Sequence, residues 1–164
     1  MPNRISLAAI VSCLLFTACS LGGGVSKDVA TGLTYHYTHC VVQDVQLVNP
    51  RNIPFTDNIV HIGATFLISA IGIQNFTLTE GKAHPGCELI LKDKTNKTIA
   101  QVPDLLESSA KDGISTSGPL DLAATITLSP PLVTGETYTI TARFFDKKDS
   151  KREVVAEVTV QLED

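Results

Sequence analysis

After Gly32, apolar and polar positions alternate along much of the chain with a period of two. This is the strand period, not the 3.6-residue period of a helix. The clearest run is 137–145, where Tyr138, Ile140, Ala142 and Phe144 share one face and threonines and Arg143 stand between them. Residues 122–128 repeat the pattern, with Leu122, Ala124, Ile126 and Leu128 on one face. Near the end, Val154, Ala156, Val158, Val160 and Leu162 are expected to spread over two faces of a closing strand. Residues 33–48 are rich in β-branched and aromatic side chains, but alternation falters near Gln43 and Asp44, which predicts a bulge or corner. Residues 59–73 form an apolar stretch interrupted by Gly63 and Gly72, which predicts a buried strand bent at a glycine.

Turn residues punctuate these runs. The segment Asp93-Lys94-Thr95-Asn96-Lys97 joins a strand at 87–92 to another at 98–102 as a hairpin. Pro103 with Asp104 opens the only helical candidate, one or two turns ending near Ala110. Residues 129–136 lead through Gly135 into Tyr138, and a charged turn at 146–152 precedes the last strand. A glycine-containing corner, a tyrosine near the strand start and a terminal hairpin resemble the final strands of immunoglobulin-like and fibronectin-like sandwiches. The resemblance covers about 35 residues and implies architecture only, since such folds host unrelated functions. The expected fold is all-β: a single immunoglobulin-like two-sheet sandwich of about 7–8 strands over residues 32–164.

The beginning of the chain reads differently. Arg4 precedes an uncharged, mostly apolar run at 5–18. Spanning a bilayer takes about 20 residues, so this run has the length of a signal-peptide core and is too short for a membrane helix. It ends in Leu15-Phe16-Thr17-Ala18-Cys19-Ser20, which resembles the lipobox of bacterial lipoproteins, with Phe16 in place of the usual Leu. The resemblance implies cleavage after residue 18 and a diacylglycerol on Cys19. It also implies a bacterial cell-envelope location, with the outer membrane favoured because Ser20, not Asp, follows the lipidated cysteine. Residues 19–31 hold Gly22, Gly23 and Gly24 and are expected to be a flexible tether.

Composition narrows the function classes. Hydrophobic residues make up 43% and charged ones 18%, so the chain can build a core. The net charge of -4, with scattered lysines, excludes the basic face that nucleic acid requires. The expected partners are the membrane, through the lipid on Cys19, and another envelope protein.

Candidate chemistry is sparse. With Cys13 in the signal and Cys19 lipidated, Cys40 and Cys87 remain as an even pair in an oxidising compartment, which predicts a disulfide. Two buried free thiols are the alternative. His36, His39 and Cys40, together with His84 and Cys87, offer ligand types suited to zinc or copper. A strand puts His36 and Cys40 on one face and His39 on the other, so no metal site and no cofactor is assigned. Metal handling through these five residues stays as the second functional reading. Ser108-Ser109-Ala110-Lys111 matches a Ser–Lys pattern without its companion motifs, and no hydrolase, phosphate-loop or dinucleotide motif occurs. Tyr35 and Tyr37 share a strand face, read as a buried pair. The chain therefore reads as a non-catalytic, lipid-anchored binding or structural module.

Overall fold

The computed structural model describes residues 23–164. The segment 1–18 expected to be a signal peptide and the expected lipidation site Cys19 lie outside the described residues. The fold is all-β, and no α-helix occurs among the described residues. Its strands are β1 (Gly24–Lys27), β2 (Thr34–Thr38), β3 (Asp44–Val48), β4 (Ile59–His61) and β5 (Thr65–Ile73). They continue as β6 (Leu78–Thr79), β7 (Lys82–Ala83), β8 (Pro85–Asp93), β9 (Thr98–Val102) and β10 (Ile114–Ser115), then β11 (Leu120–Thr127), β12 (Thr137–Asp146) and β13 (Glu153–Glu163).

A seven-stranded sheet runs β1-β2-β13-β12-β8-β9, with β4 added beside the far half of β13. A three-stranded sheet, β11-β5-β3, packs against it, and β10-β7-β6 forms a small sheet at one end. The core lies between the two larger sheets. Phe144, Ile140, Val154 and Leu162 from one meet Phe66, Ile68, Leu47 and Ala124 from the other, all buried. The alternation at 122–128 and 137–145 is therefore the core-facing pattern it predicted. The closing strand departs from expectation. Val154, Ala156, Val158, Val160 and Leu162 all face the core, as residues two apart in a strand must.

The irregular positions mark where the chain changes sheets. Residues 33–48 are two strands: β2 pairs β13 in the large sheet, and β3 pairs β5 in the small one. Residues 59–73 split likewise into β4 and β5, on either side of Gly63 at φ 79°. A left-handed backbone there costs a glycine nothing. The segment after Pro103 closes one turn, with the Ala110 N–H donating to the Leu106 carbonyl at 2.8 Å, and goes no further. Asp104 pins it, accepting from the Leu106 and Cys87 N–H groups and pairing with Lys147. The tyrosine corner is present. The Tyr138 hydroxyl accepts from the Val133 N–H at 2.8 Å and donates to the Val133 carbonyl at 3.3 Å.

The tether is corrected over its described part. Gly24–Lys27 is a strand paired with β2, in the register Gly24 to Tyr37 and Lys27 to Thr34. Its hairpin turn is tied by Asp28, whose carboxylate accepts from the Ala30 N–H and the Thr31 hydroxyl. The Thr31 hydroxyl hydrogen bond holds the Asp28 carboxyl below its usual range. Gly24 lies so close to the Tyr37 ring that a Cβ would meet its hydroxyl oxygen at 2.5 Å. Here glycine serves close cross-strand approach. Gly86 repeats the device under the ring of Phe145, its direct partner on β12.

Candidate binding cleft

The two main sheets differ in width, and the wider one overhangs. On the inner face of β8, Cys87 is completely buried, while Leu89 and Leu91 are only half-buried. Their partners on β9 are Val102 and Ala100, both exposed. Beyond β11 no strand among the described residues covers this strip. A cleft of about 510 Å³ opens between Leu91, Ile99 and Ala100 on one side and Thr127, Leu128 and Pro131 on the other. It continues into a recess of about 250 Å³ floored by Leu89, Ile126 and Ile140. The cleft has an apolar floor and a hydroxyl rim of Thr125, Thr127 and Ser129.

Asp93 is its one charged lining residue among the described residues. The Thr95 hydroxyl, at 2.6 Å, keeps its carboxyl below the usual range, and the Thr95 and Lys97 N–H groups also donate to it. All three bonds fall on its Oδ1, which ties that oxygen to its own turn. The Tyr138 hydroxyl is committed to Val133. No histidine, cysteine or lysine lines the cleft among the described residues; its polar side chains are hydroxyls, the Gln101 amide and the Asp93 carboxylate. The arrangement presents a concave, largely apolar surface edged by hydroxyl groups.

The cysteines and histidines lie elsewhere. Cys40 and Cys87 stand as free thiols in this structure, both buried, and the expected disulfide does not join them here. The Cys40 sulfur rests on β13, 3.3 Å from the Glu153 carbonyl, whereas Cys87 belongs to β8, with β12 running between those strands. A disulfide joins α-carbons about 4.4–6.8 Å apart, and two strand spacings are already about 10 Å. Burial pushes the Cys40 thiol up to about 11 and the Cys87 thiol up to about 12. His36 points outward from β2, opposite Val155, and His39 sits in the β2–β3 connection at φ 52°. His84 precedes β8, three strands away. Among the described residues no three His, Cys, Asp or Glu side chains gather as a metal set. Tyr35 is buried and Tyr37 packs partly buried against the same core.

The thiols make a direct test. In the folded, unreduced protein neither Cys40 nor Cys87 is expected to react with maleimide at neutral pH, and both should react after unfolding. Finding their tryptic peptides joined by a disulfide would overturn this. The raised values also set a pH window. The ordinary thiol value is 9.0, so the buried protonated form supports the fold fully below that pH and loses its contribution as pH rises through about 11 and 12. Stability should fall across this alkaline window more steeply in wild type than in Cys87→Ala.

No protein-family model matches the chain, and no curated protein sequence does. Among solved structures, it is similar to the C-terminal domain of wzt, at 11% identity and a TM-score of 0.52, covering 76% of this chain and 74% of that one. Chicken MD-1 complexed with lipid IVa also aligns, at 18% identity and a TM-score of 0.41, covering 86% of this chain and 98% of the other. At these identities the wzt likeness concerns the fold, and it agrees with the two-sheet β architecture described above.

Proposed function

We propose that this chain is a lipid-anchored protein of the bacterial cell envelope whose β-sandwich is a non-catalytic binding module. The anchor is Cys19, on the strength of the lipobox-like residues 15–20 and the signal-length run before them. The observation that carries the binding reading is the overhang of β8–β9 beyond β11. It leaves apolar side chains open to solvent in a concave, largely uncharged cleft, the usual character of a ligand site. The ligand that fits is elongated and uncharged, with apolar parts for the floor and polar parts for the rim. The outer membrane is the favoured location, because Ser20 follows Cys19.

Anilinonaphthalene sulfonate tests the cleft. The folded protein should bind it saturably, with enhanced emission. Ala100→Trp, which fills the mouth, should remove most of that enhancement without lowering the unfolding midpoint. Equal binding by both proteins would sink the reading. In cells, Cys19→Ala should leave the protein unprocessed or released from membranes, and a cleaved, membrane-bound variant would refute the anchor.

A further inference from the structure

β1 starts at the same end of the large sheet as β13, because each is antiparallel to β2. Gly24 pairs with Tyr37 and Tyr37 with Val154, so the three stand in one row. Toward Gly23 the chain therefore leaves the sheet beside the 146–152 turn, from which β13 emerges. That turn reads Lys147-Lys148-Asp149-Ser150-Lys151-Arg152, four cations against one acid. Asp149 pairs with Arg152, and Lys147 with Asp104. Lys148 and Lys151 are exposed, with no carboxylate partner among the described residues. The Arg152 guanidinium also donates to the His39 and Asn75 carbonyls, which fixes the turn against the β2–β3 and β5–β6 connections. The neighbouring segments 80–82 and 104–112 add two lysines against four acids, so the basic charge is concentrated at the turn itself.

We infer that the 146–152 turn docks on the anionic headgroup layer of the membrane through Lys148 and Lys151, and that the mouth of the cleft points away from the bilayer. This rests on the proposed anchoring by the beginning of the chain, but not on its cleavage. Removed or retained, the apolar run ends at residue 18, and residue 19 is the last that the membrane holds. From there to Gly24 the chain spans at most about 17 Å. The turn stands about 10 Å beyond the row of Gly24 along the strands, so a bilayer touching it is within reach. The opposite end is not. From Val154 to Gln161, which faces Thr137 at the start of β12, is seven residues, or about 23 Å. The cleft mouth beside Asp93 and Tyr138 lies at that far end. The outer face of the sheet is within reach of the anchor but offers no net positive charge. There Lys27, Lys92 and Arg143 are balanced by Glu88, Glu153 and Glu157. A lysine brought to an anionic bilayer surface favours contact roughly fivefold, and the turn presents two that carry no ion pair.

The chain has no tryptophan, so a single introduced one reports its own surroundings. The test uses the full-length protein on vesicles of phosphatidylcholine and phosphatidylglycerol that carry a nitroxide quencher at the headgroup. Ser150→Trp reports the turn, Lys97→Trp the opposite end and Thr159→Trp the outer face. Quenching should be strongest at Ser150→Trp. Adding Lys148→Glu and Lys151→Glu to that variant should cut its quenching about fivefold or more, with flotation on the vesicles and the unfolding midpoint unchanged. High salt should weaken it in the same direction. Equal quenching at the three sites, stronger quenching at Thr159→Trp or Lys97→Trp, or indifference to the charge reversal overturns the docked turn while leaving the anchor in place. A full-length protein that does not float with the vesicles overturns the anchor and the docking together.

Discussion

Replacing Phe144 by alanine is expected to remove about 3–5 kcal/mol of stability, the range for truncating a fully buried aromatic. Phe144 is 0% exposed, in the middle strand pair of the large sheet, opposite Val154 on β13 and Cys87 on β8. The side chains around it come from rigid, fully paired strands, so little collapse into the vacated space is available. Small domains have only about 5–15 kcal/mol in total, and the variant should unfold at markedly lower denaturant with an unchanged slope. The neighbouring Phe145 gives the contrast. Its ring lies on the outer face, over Gly86 and 4.7 Å from the Arg143 guanidinium carbon. Phe145→Ala should cost clearly less. Equal or reversed costs for the two variants would mean that the face assignment of β12 is wrong.

Gly72→Val should destabilise by about 2–5 kcal/mol, from left-handed backbone and overpacking together. Gly72 sits at φ 71°, and a Cβ there would meet the Gln43 Cβ at 2.7 Å. Gln43 is held by its own N–H to the Ile71 carbonyl and cannot retreat cheaply. The Gly72 N–H donates to the Asp121 carboxylate at 2.8 Å, at the register shift between Leu120 and Leu122. The substitution therefore strains a backbone, a neighbour and a bulge at once. Gly72→Ala should fall between wild type and Gly72→Val, and identical chemical-denaturation midpoints for all three would refute the argument.

Much of the architecture was readable because it is local. Period-two alternation identifies the core faces of β11 and β12, and Tyr138 with Gly135 marks the corner that the hydroxyl of Tyr138 closes. What escaped depends on contacts between distant residues. Gly23 and Gly24 look like linker glycines until Tyr37 is placed over Gly24. The pairing of Cys40 with Cys87 follows from counting, but the strand order puts β12 between them. The faltering near Gln43 signalled an interruption, yet not that the chain passes to the other sheet there. The cleft was not legible at all. No motif encodes it, since it arises from one sheet being wider than the other, and Leu89 and Leu91 look like ordinary core residues until the missing cover is seen.

The place of β13 bears on how the protein can be made. This strand, formed by residues 153–163, pairs with its hairpin neighbour β12 and also with β2 and β4, segments that precede it by about a hundred residues or more. Until it arrives, β2 and the β12–β8–β9 group have no common neighbour, and the large sheet exists only as fragments. A chain emerging from its amino terminus therefore cannot complete this sheet while it is still being threaded. Long-range pairing of this kind is slow, and waits on loop closure over most of the chain. For the envelope location proposed above, the delay would suit passage across a membrane in an unfolded state. It also means that any protease present meets the chain before its central strand has locked the rest together.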